Sequence, residues 1–444
     1  MNTDMKRYIK SIMLMAAVAL GFSSCEDYPD AFVLADGVPT VHYVRYADND
    51  QLIEKAYMGE IICFVGDNLC SVRELWFNDQ QAILNTSLMT EHTLMVAIPN
   101  KLAEVETHKA YMITKGQDTV AVDFEVMLPV PVIKSMSCEF QPAGEEVTVT
   151  GDYFVDPITI EFANTTVTDI KSLSMTEIRF VIPEGTAPGK IKVTTPSGTS
   201  ASPFKYFEDR GIMFDFDDDG DAALATNASN LWHAREFFSE GGVDGTYVQL
   251  GDGATALDEA ASWNDGLYAF EFWCGSWDNP QNITSGPGIA LYNLADLSNP
   301  SSMSFKFEMC IPSDKPWKAG AMQICFQPVS QVTVSGNPID GEKKVAGANA
   351  YAFNNEAEDL GSWGRALYRP WEATGEFHTD GKWITVTIPI TEFNKGYQNG
   401  PATSSPSTEK DFASLTMFVL GGGVNGAECA PIIKIDNIRV VPNK

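Results

Sequence analysis

The sequence predicts an all-β protein, with two small β-sandwiches in tandem followed by one larger sandwich. Short segments of alternating apolar and polar residues, bounded by Gly, Pro, Asn or Asp, recur along the chain and are typical of strands. One such pattern occurs twice in the first half, which predicts one architecture used twice. With 444 residues, the chain is long enough for about two to four domains. No long amphipathic helix is predicted after the N-terminal segment.

The N-terminus reads as a targeting segment. Basic residues Lys6, Arg7 and Lys10 precede a short apolar run that ends in small residues and Cys25, which is typical of a secretory signal peptide. Cysteine directly after two serines resembles the lipobox of bacterial lipoproteins, and the acidic cluster after it resembles the surface-export signal of Bacteroidetes lipoproteins. We expect a signal peptide over 1–24, lipidation at Cys25, an acidic linker over 25–35, and a mature protein on the outer face of the outer membrane. An ordinary cleaved signal with a chance cysteine is the alternative.

The repeated pattern predicts domains over 36–128 and 129–208. Gly66 and Gly151 lie 85 positions apart, and Pro99 and Pro183 lie 84 apart, so the two copies share one register. A G-D-x-[LF] turn, a T-E pair and a run ending in I-P resemble the IPT/TIG immunoglobulin-like family. That resemblance implies two immunoglobulin-like β-sandwiches that act as spacers.

The third predicted domain covers 209–444. Its first and last apolar strands, near 212–216 and 432–441, are expected to pair as in a jelly-roll-like β-sandwich. The acidic turn after the first strand places Asp215, Asp217 and Asp219 before a glycine, like the start of an EF-hand loop. The position that should supply the bidentate glutamate is Thr226, so calcium is only a weak alternative and no cofactor is expected.

Five aromatic residues lie on segments between the predicted strands of this domain. Glycine and proline beside them indicate loops, and exposed flat rings that lie together usually have a partner. An indole can lie on the apolar face of a pyranose, so we predict a glycan-binding platform of Trp277, Trp317, Trp363, Tyr368 and Trp371. Hydrogen bonds to sugar hydroxyls are expected from Arg365, Arg369, Glu372, Asp278 and Asn279. The alternative is that these rings belong to the sandwich core.

Composition excludes several functions. The formal charge is −29, from 30 basic and 59 acidic residues, and it repels both nucleic acid and anionic lipid. The membrane is therefore expected to be contacted only through the lipid anchor. Seven cysteines follow Cys25, and Cys63 and Cys70 are their one close pair. The spacing predicts no zinc site and leaves a disulfide open.

The order of these parts, with F-E-M-C-I-P-S-D-K-P-W, R-A-L-Y-R-P-W and I-D-N-I-R-V in the third domain, resembles the B-type surface glycan-binding proteins of Bacteroidetes polysaccharide utilisation loci. The resemblance implies a polysaccharide ligand, xyloglucan-like or another β-glucan, plant or yeast glycan. It also implies that the protein acts together with a TonB-dependent transporter, the transporter's SusD-like protein and a surface endo-glycanase. The same resemblance favours Trp317, Tyr368 and Trp371 as platform rings.

We predict a binding protein and not an enzyme, since the chain has no glycosidase, esterase or metalloprotease motif. A structural adhesin and, less favoured, a jelly-roll glycoside hydrolase are the alternatives.

Overall fold

The computed structural model describes residues 37–217, 224–225, 231–232, 236–264, 266–272, 274, 290–328, 348–353 and 362–443. These residues form two compact units that divide between Pro129 and Val130. Most of the regular structure is β-strand, and the α-helix in the described part, α1, is Ala348–Phe353. The all-β prediction is confirmed.

The first unit is a small sandwich of alternating strands. One sheet has the order β1-β3-β6, the other has the order β5-β4-β7-β8, and β2 pairs with β9 in parallel. Phe64, Phe77 and Phe124 pack between the sheets with ring centroids 5.7–6.3 Å apart. The strands are β1 Thr40–Tyr46, β2 Lys55–Tyr57, β3 Ile61–Asp67, β4 Val72–Phe77, β5 Gln80–Gln81, β6 Thr93–Ala97, β7 Lys109–Thr114, β8 Thr119–Asp123 and β9 Glu125–Met127.

The second unit begins with another small sandwich, in which a sheet of order β10-β11-β14-β13 packs on one of order β12-β15-β16. Alternate residues of β11 and β14 point inward, so Val147, Val149, Ile178 and Phe180 are buried. Its strands are β10 Val132–Met136, β11 Glu146–Asp152, β12 Thr159–Glu161, β13 Ile170–Leu173, β14 Glu177–Val181, β15 Lys192–Thr195 and β16 Gly198–Ala201.

The glycine repeated in the two sandwiches has a steric cause. A Cβ at Gly66 would lie 1.8 Å from the carbonyl oxygen of Thr40, and one at Gly151 would lie 1.9 Å from that of Val132. Each glycine sits at the end of a strand where its partner strand approaches too closely for any side chain. The matching G-D turns therefore mark equivalent places in the two sandwiches.

The third domain pairs its first strand with its last, as the sequence predicts: Ile212 of β17 lies opposite Arg439 of β28. A seven-stranded sheet contains β17, β18, β20, β21, β23, β26 and β28, and a second sheet has the order β19-β22-β27-β24-β25. The strands are β17 Ile212–Phe216, β18 Leu224–Ala225, β19 Leu231–Trp232, β20 Glu236–Phe238, β21 Tyr247–Leu250, β22 Ala269–Phe272, β23 Met303–Cys310, β24 Met322–Gln327, β25 Ala366–Tyr368, β26 Ile384–Pro389, β27 Ser414–Val419 and β28 Ile433–Pro442.

The two faces of the five-stranded sheet differ in chemistry. One face sends Phe270, Ile324 and Met417, with their alternate neighbours, into the main core. The other face bears buried polar residues and carries α1; these residues are Glu271, Gln323, Gln327, Ser414 and Thr416. Buried polar side chains cost free energy unless they are hydrogen-bonded, so the polar residues of this second face require hydrogen-bond partners.

The second sandwich and the third domain share a buried ionic junction. Glu139 contacts both Lys306, at 2.5 Å, and Arg439, at 2.9 Å. Arg439 also lies 2.5 Å from Glu308, and its guanidinium carbon lies 4.7 Å from the centre of the Phe140 ring. The network joins the two domains into the single compact unit observed.

No helix in the described ranges is long and apolar enough to span a bilayer. None of the seven cysteines after Cys25 forms a disulfide, and all seven are buried, so Cys63 and Cys70 are not joined. Burial raises the pKa of the Cys63 thiol above its ordinary value, as expected for cysteines that pack as small hydrophobic side chains.

Candidate functional site

The rings of the predicted aromatic platform that the structure describes are buried or partly buried. Trp317 has 0% of its surface exposed and Trp371 has 4%. The Trp317 indole N–H donates to the Ala319 carbonyl at 2.6 Å, and that of Trp371 donates to the Gly320 carbonyl at 2.7 Å. An enclosed indole with a bonded N–H cannot lie on a sugar, so the prediction of an exposed platform is wrong for both rings.

The loop that carries Trp317 lies inward because it pairs with the segment that carries Phe377. The backbone N–H groups of Trp317 and Phe377 each donate to the other's carbonyl at 2.9 Å. Tyr368 lies in β25, partly buried, with its ring centroid 6.2 Å from that of Trp317. Burial raises the pKa of Tyr368 to about 12. The motif that suggested a platform therefore builds one end of the core.

Trp363 and Arg365 are also buried, with 7% and 0% of their surfaces exposed, and are not positioned to contact a glycan directly. The Trp363 N–H donates to the Phe326 carbonyl at 2.7 Å, and its ring packs edge-on against Tyr351 of α1 at 5.1 Å. Arg365 donates to the carbonyls of Tyr351, at 2.9 Å, and of Ala352. Both side chains therefore hold the last turn of α1, whose carbonyls have no partner within the helix.

The remaining predicted contacts fall into two groups. Arg369 donates to Glu372 at 3.0 Å and to the Gly422 carbonyl at 2.5 Å, and of this pair only Glu372 has an exposed side chain. Trp277, Asp278 and Asn279 lie outside the described residues, so their prediction stays a prediction.

A different group of rings reaches the surface beside α1. We call Trp263, Tyr351, Phe353 and Tyr397 the aromatic surface. Trp263 is 44% exposed, and the other three are half-buried. The Phe353 ring connects two of the others, since its centroid lies 5.8 Å from that of Trp263 and 6.3 Å from that of Tyr397, whereas Tyr351 packs against Trp363. Trp263, Phe353 and Tyr397 therefore form a contiguous row in which an exposed indole has fixed neighbours.

The five-stranded sheet supports the aromatic surface from below. Phe353 stacks on Phe418 of β27, with centroids 5.7 Å apart and an angle of 21° between the rings. The Arg365 guanidinium lies 5.5 Å from the centre of the Tyr397 ring, a favourable distance for a cation–π contact. Since burial lowers the pKa of Arg365 below its ordinary value, these carbonyl and ring contacts help to compensate its charge.

Amide side chains of the polar sheet face complete the support. Gln323 donates to the Leu420 carbonyl at 2.7 Å and to the Tyr397 carbonyl at 3.3 Å, and it accepts from Arg365 at 3.2 Å. Gln327 donates to Thr416 at 2.7 Å, while its Oε1 has no hydrogen-bond partner among the described residues. Both glutamines are fully buried, so they support the aromatic surface from below and do not contact a glycan.

This arrangement suits a ligand with flat apolar faces and hydroxyl edges. The exposed part of Trp263 can cover the C–H face of a pyranose while the hydroxyl groups stay solvated. The sequence carried a signal for this residue that the prediction did not use: Trp263 stands directly before Asn264, Asp265 and Gly266, a turn sequence of the kind that indicated the other rings. Tyr397 lies between Gly396 and Gln398, just before an Asn-Gly pair, and fits the same rule.

Two of the three aspartates of the calcium alternative accept hydrogen bonds from backbone N–H groups. The Asp217 carboxylate accepts from the Thr246 N–H at 2.6 Å, and Asp215 accepts from the Asp217 N–H at 3.1 Å, while Asp219 lies outside the described residues. Where the structure describes the chain, no group of three or more His, Cys, Asp or Glu residues is placed to hold a metal ion.

Comparison with known proteins gives two family matches. Residues 206–442 match the profile of the surface glycan-binding protein B xyloglucan binding domain, and residues 131–206 match the IPT/TIG domain. A curated IPT/TIG domain-containing protein of Bacteroides ovatus is 26% identical over 153 residues, which are 33% of this chain and only 30% of that protein.

Solved structures extend the match over nearly the whole chain. The surface glycan-binding protein PbSGBP-B from Prevotella bryantii is 40% identical, with a TM-score of 0.72, covering 93% of this chain and 100% of that one. An SGBP-B from a complex xyloglucan utilization locus in Bacteroides uniformis is 16% identical, with a TM-score of 0.42, over 91% and 100% of the two chains; that likeness is too low to support an argument.

The matched family and PbSGBP-B are glycan-binding proteins and not enzymes, which confirms the prediction of a binding protein. The family profile covers more than half of the chain, and the Prevotella structure matches along its full length. The chain therefore belongs to the surface glycan-binding protein B family, and an IPT/TIG domain precedes its family-defining C-terminal domain.

Proposed function

We propose that this protein is a cell-surface lipoprotein that binds a xyloglucan-like β-glucan through the aromatic surface of its third domain. The observation that carries the proposal is the half-exposed Trp263 ring, which packs against Phe353 inside the region that matches the xyloglucan-binding family profile. Phe353 in turn contacts Tyr397. An extended β-glucan presents flat sugar faces in succession, so one chain can pass over several rings.

The expected affinity is modest. One sugar stacked on an indole buries roughly 80 Å² of apolar surface, worth about 2 kcal/mol. Two or three stacked sugars contribute about 4–6 kcal/mol before the cost of association, which corresponds to a dissociation constant of about 40 μM to 1 mM. The cost of association moves the expected value toward the millimolar end. Many copies on one cell that meet one long polymer raise the avidity without new contacts.

We further propose that lipid on Cys25 holds the protein on the outer face of the outer membrane. There it retains polysaccharide for a neighbouring surface endo-glycanase and for a TonB-dependent transporter with its SusD-like protein. Residues 1–25 place basic residues first, then an apolar run and then small residues before the cysteine, and this order supports the proposed location. Replacing Cys25 by alanine should release the protein from the membrane fraction. Protease added to intact cells should then no longer find the protein on the cell surface.

Affinity gel electrophoresis with a panel of plant and yeast polysaccharides tests the ligand. We expect retardation by xyloglucan or a related β-glucan, with no oligosaccharides released on prolonged incubation. Retardation by none of the panel would contradict the proposed ligand class. Release of oligosaccharides would instead identify an enzyme.

A further inference from the structure

We propose that the first domain carries a second oligosaccharide-binding groove, at the edge where its two sheets separate. The groove has a volume of about 1070 Å³, and it opens between β1 on one side and the end of β8 with β9 on the other. Ligand-binding clefts commonly have volumes of about 300–1,000 Å³, so the space can hold several sugar units. This assigns a binding role to a domain that the sequence predicts as a spacer.

Aromatic side chains supply apolar contact in the groove. Tyr43 is 43% exposed and Leu52 is 64% exposed, and Tyr46 lines the same groove while half-buried. Tyrosine presents a flat ring for a pyranose face and a hydroxyl that can bond to the sugar's own hydroxyl groups. The groove therefore offers flat and apolar surface to a sugar ring along the same cleft that its polar residues line.

Polar side chains of several kinds surround those rings. His42 and His108 are exposed groove residues, and Glu54, Lys55 and Glu125 add carboxylate and ammonium groups. Asp123 also lines the groove, but it is paired with Lys109. The lining therefore offers hydrogen-bond donors and acceptors along its length, which is what a polyhydroxylated ligand requires.

The same lining disfavours other ligand classes. Lys109 compensates Asp123, and the remaining carboxylates, Glu54 and Glu125, outnumber Lys55, so the groove offers no excess of positive charge to a phosphate or another anionic ligand. The polar groups would lose their hydration without gaining partners against an acyl chain. A neutral oligosaccharide meets neither objection. It carries no negative charge, its ring faces match the tyrosines, and its hydroxyl groups can bond to the polar side chains at the edges of the groove. The choice of sugar as the ligand rests on the proposed function; the groove itself does not.

Hydrogen exchange of the full-length protein, with and without a purified xyloglucan oligosaccharide, tests both sites in one experiment. At about ten times the dissociation constant, exchange through ligand-coupled opening should slow roughly tenfold. We expect slower exchange at residues 51–55 and 107–108 of the first domain, and separately near Trp263 and Tyr397. Slowing in the third domain alone would overturn the groove and leave the proposed function standing. No slowing in either domain would contradict the proposed ligand and the groove together.

Tyr43→Ala provides the residue-level test, with Tyr57→Ala as its matched control. Tyr57 has the same exposed fraction, 43%, in the same domain, but it does not line the groove. Loss of one stacked ring should weaken binding at the groove about tenfold, so Tyr43→Ala should reduce the slowing at 51–55 from roughly tenfold to about twofold, while Tyr57→Ala retains it. Equal protection in the two variants, both folded by circular dichroism, would overturn the proposal.

Discussion

Arg439 Nη2 lies 2.9 Å from Glu139 Oε2, so residues 300 positions apart in sequence form an ion pair across the junction of the second and third domains. Both side chains are almost fully enclosed, and Glu308 and Lys306 complete the network. Burial opposes the charged form of Arg439, but Glu308 and Glu139 raise its pKa above the ordinary value. Arg439 therefore keeps its charge, and its burial depends on Glu139 and Glu308.

Replacing Glu139 by glutamine should therefore loosen the junction. The change leaves Lys306 and part of Arg439 buried without a counter-charge, and breaking a buried pair from one side costs about 3 kcal/mol or more. Denaturant unfolding measures this loss. Glu146→Gln is the control, because its pair with Arg179 is exposed in the same domain and should contribute less than about 1 kcal/mol. Equal effects in the two variants would show that the junction is not stabilised by its charges.

The buried indoles should act on stability and not on binding. Trp371→Phe removes the hydrogen bond to the Gly320 carbonyl and leaves a void, so the free energy of unfolding should fall by about 1–3 kcal/mol. Affinity gels run well below the melting temperature should show retention within about twofold of wild type. A variant of normal stability that has lost glycan retention would place Trp371 in the site after all.

Asp436 makes stability depend on pH. It is fully buried, and its Oδ2 has no hydrogen-bond partner in the part of the chain that the structure describes. Burial, with the Asp244 and Glu308 charges, raises its pKa to about 10. The folded protein therefore keeps this proton at neutral pH while the unfolded chain releases it near its ordinary pKa of about 4.

The sign follows from proton binding. Between about pH 4 and 10 the folded state holds one more proton than the unfolded state, so this group's contribution to stability is complete at acid pH and declines as the pH rises. Asp436→Asn should flatten that decline, and chemical unfolding at pH 5, 7 and 9 measures it. Asn can keep the bond that Asp436 Oδ1 accepts from the Asn437 N–H. An unchanged slope would mean that Asp436 is ionised in the folded protein.

The fold was predictable because strand signals are local. The alternation in β11 and β14 and the repeated glycines follow from short patterns, and Gly66 and Gly151 stand where a Cβ would strike a carbonyl. The pairing of β17 with β28 is not local, and it was expected from the resemblance of the last strand to the closing strand of jelly rolls. The site was less predictable because loop position does not determine burial. Trp317 and Phe377 pair across 60 positions, and no local pattern shows that this contact turns the ring inward. The role of Arg365 as a support likewise depends on where α1 packs. Phe353 of α1 packs on Phe418 of β27, a strand that is distant from α1 in sequence.

Calorimetric titration of a xyloglucan oligosaccharide into Trp263→Ala tests the central claim most directly. Phe238→Ala is the matched control, because Phe238 is an exposed ring of the same domain, at 37%, outside the aromatic surface. Loss of one stacking contact predicts at least about tenfold weaker binding for Trp263→Ala, with unchanged melting temperature and wild-type binding by Phe238→Ala. Wild-type affinity in Trp263→Ala would contradict the claim that glycan binds at the aromatic surface.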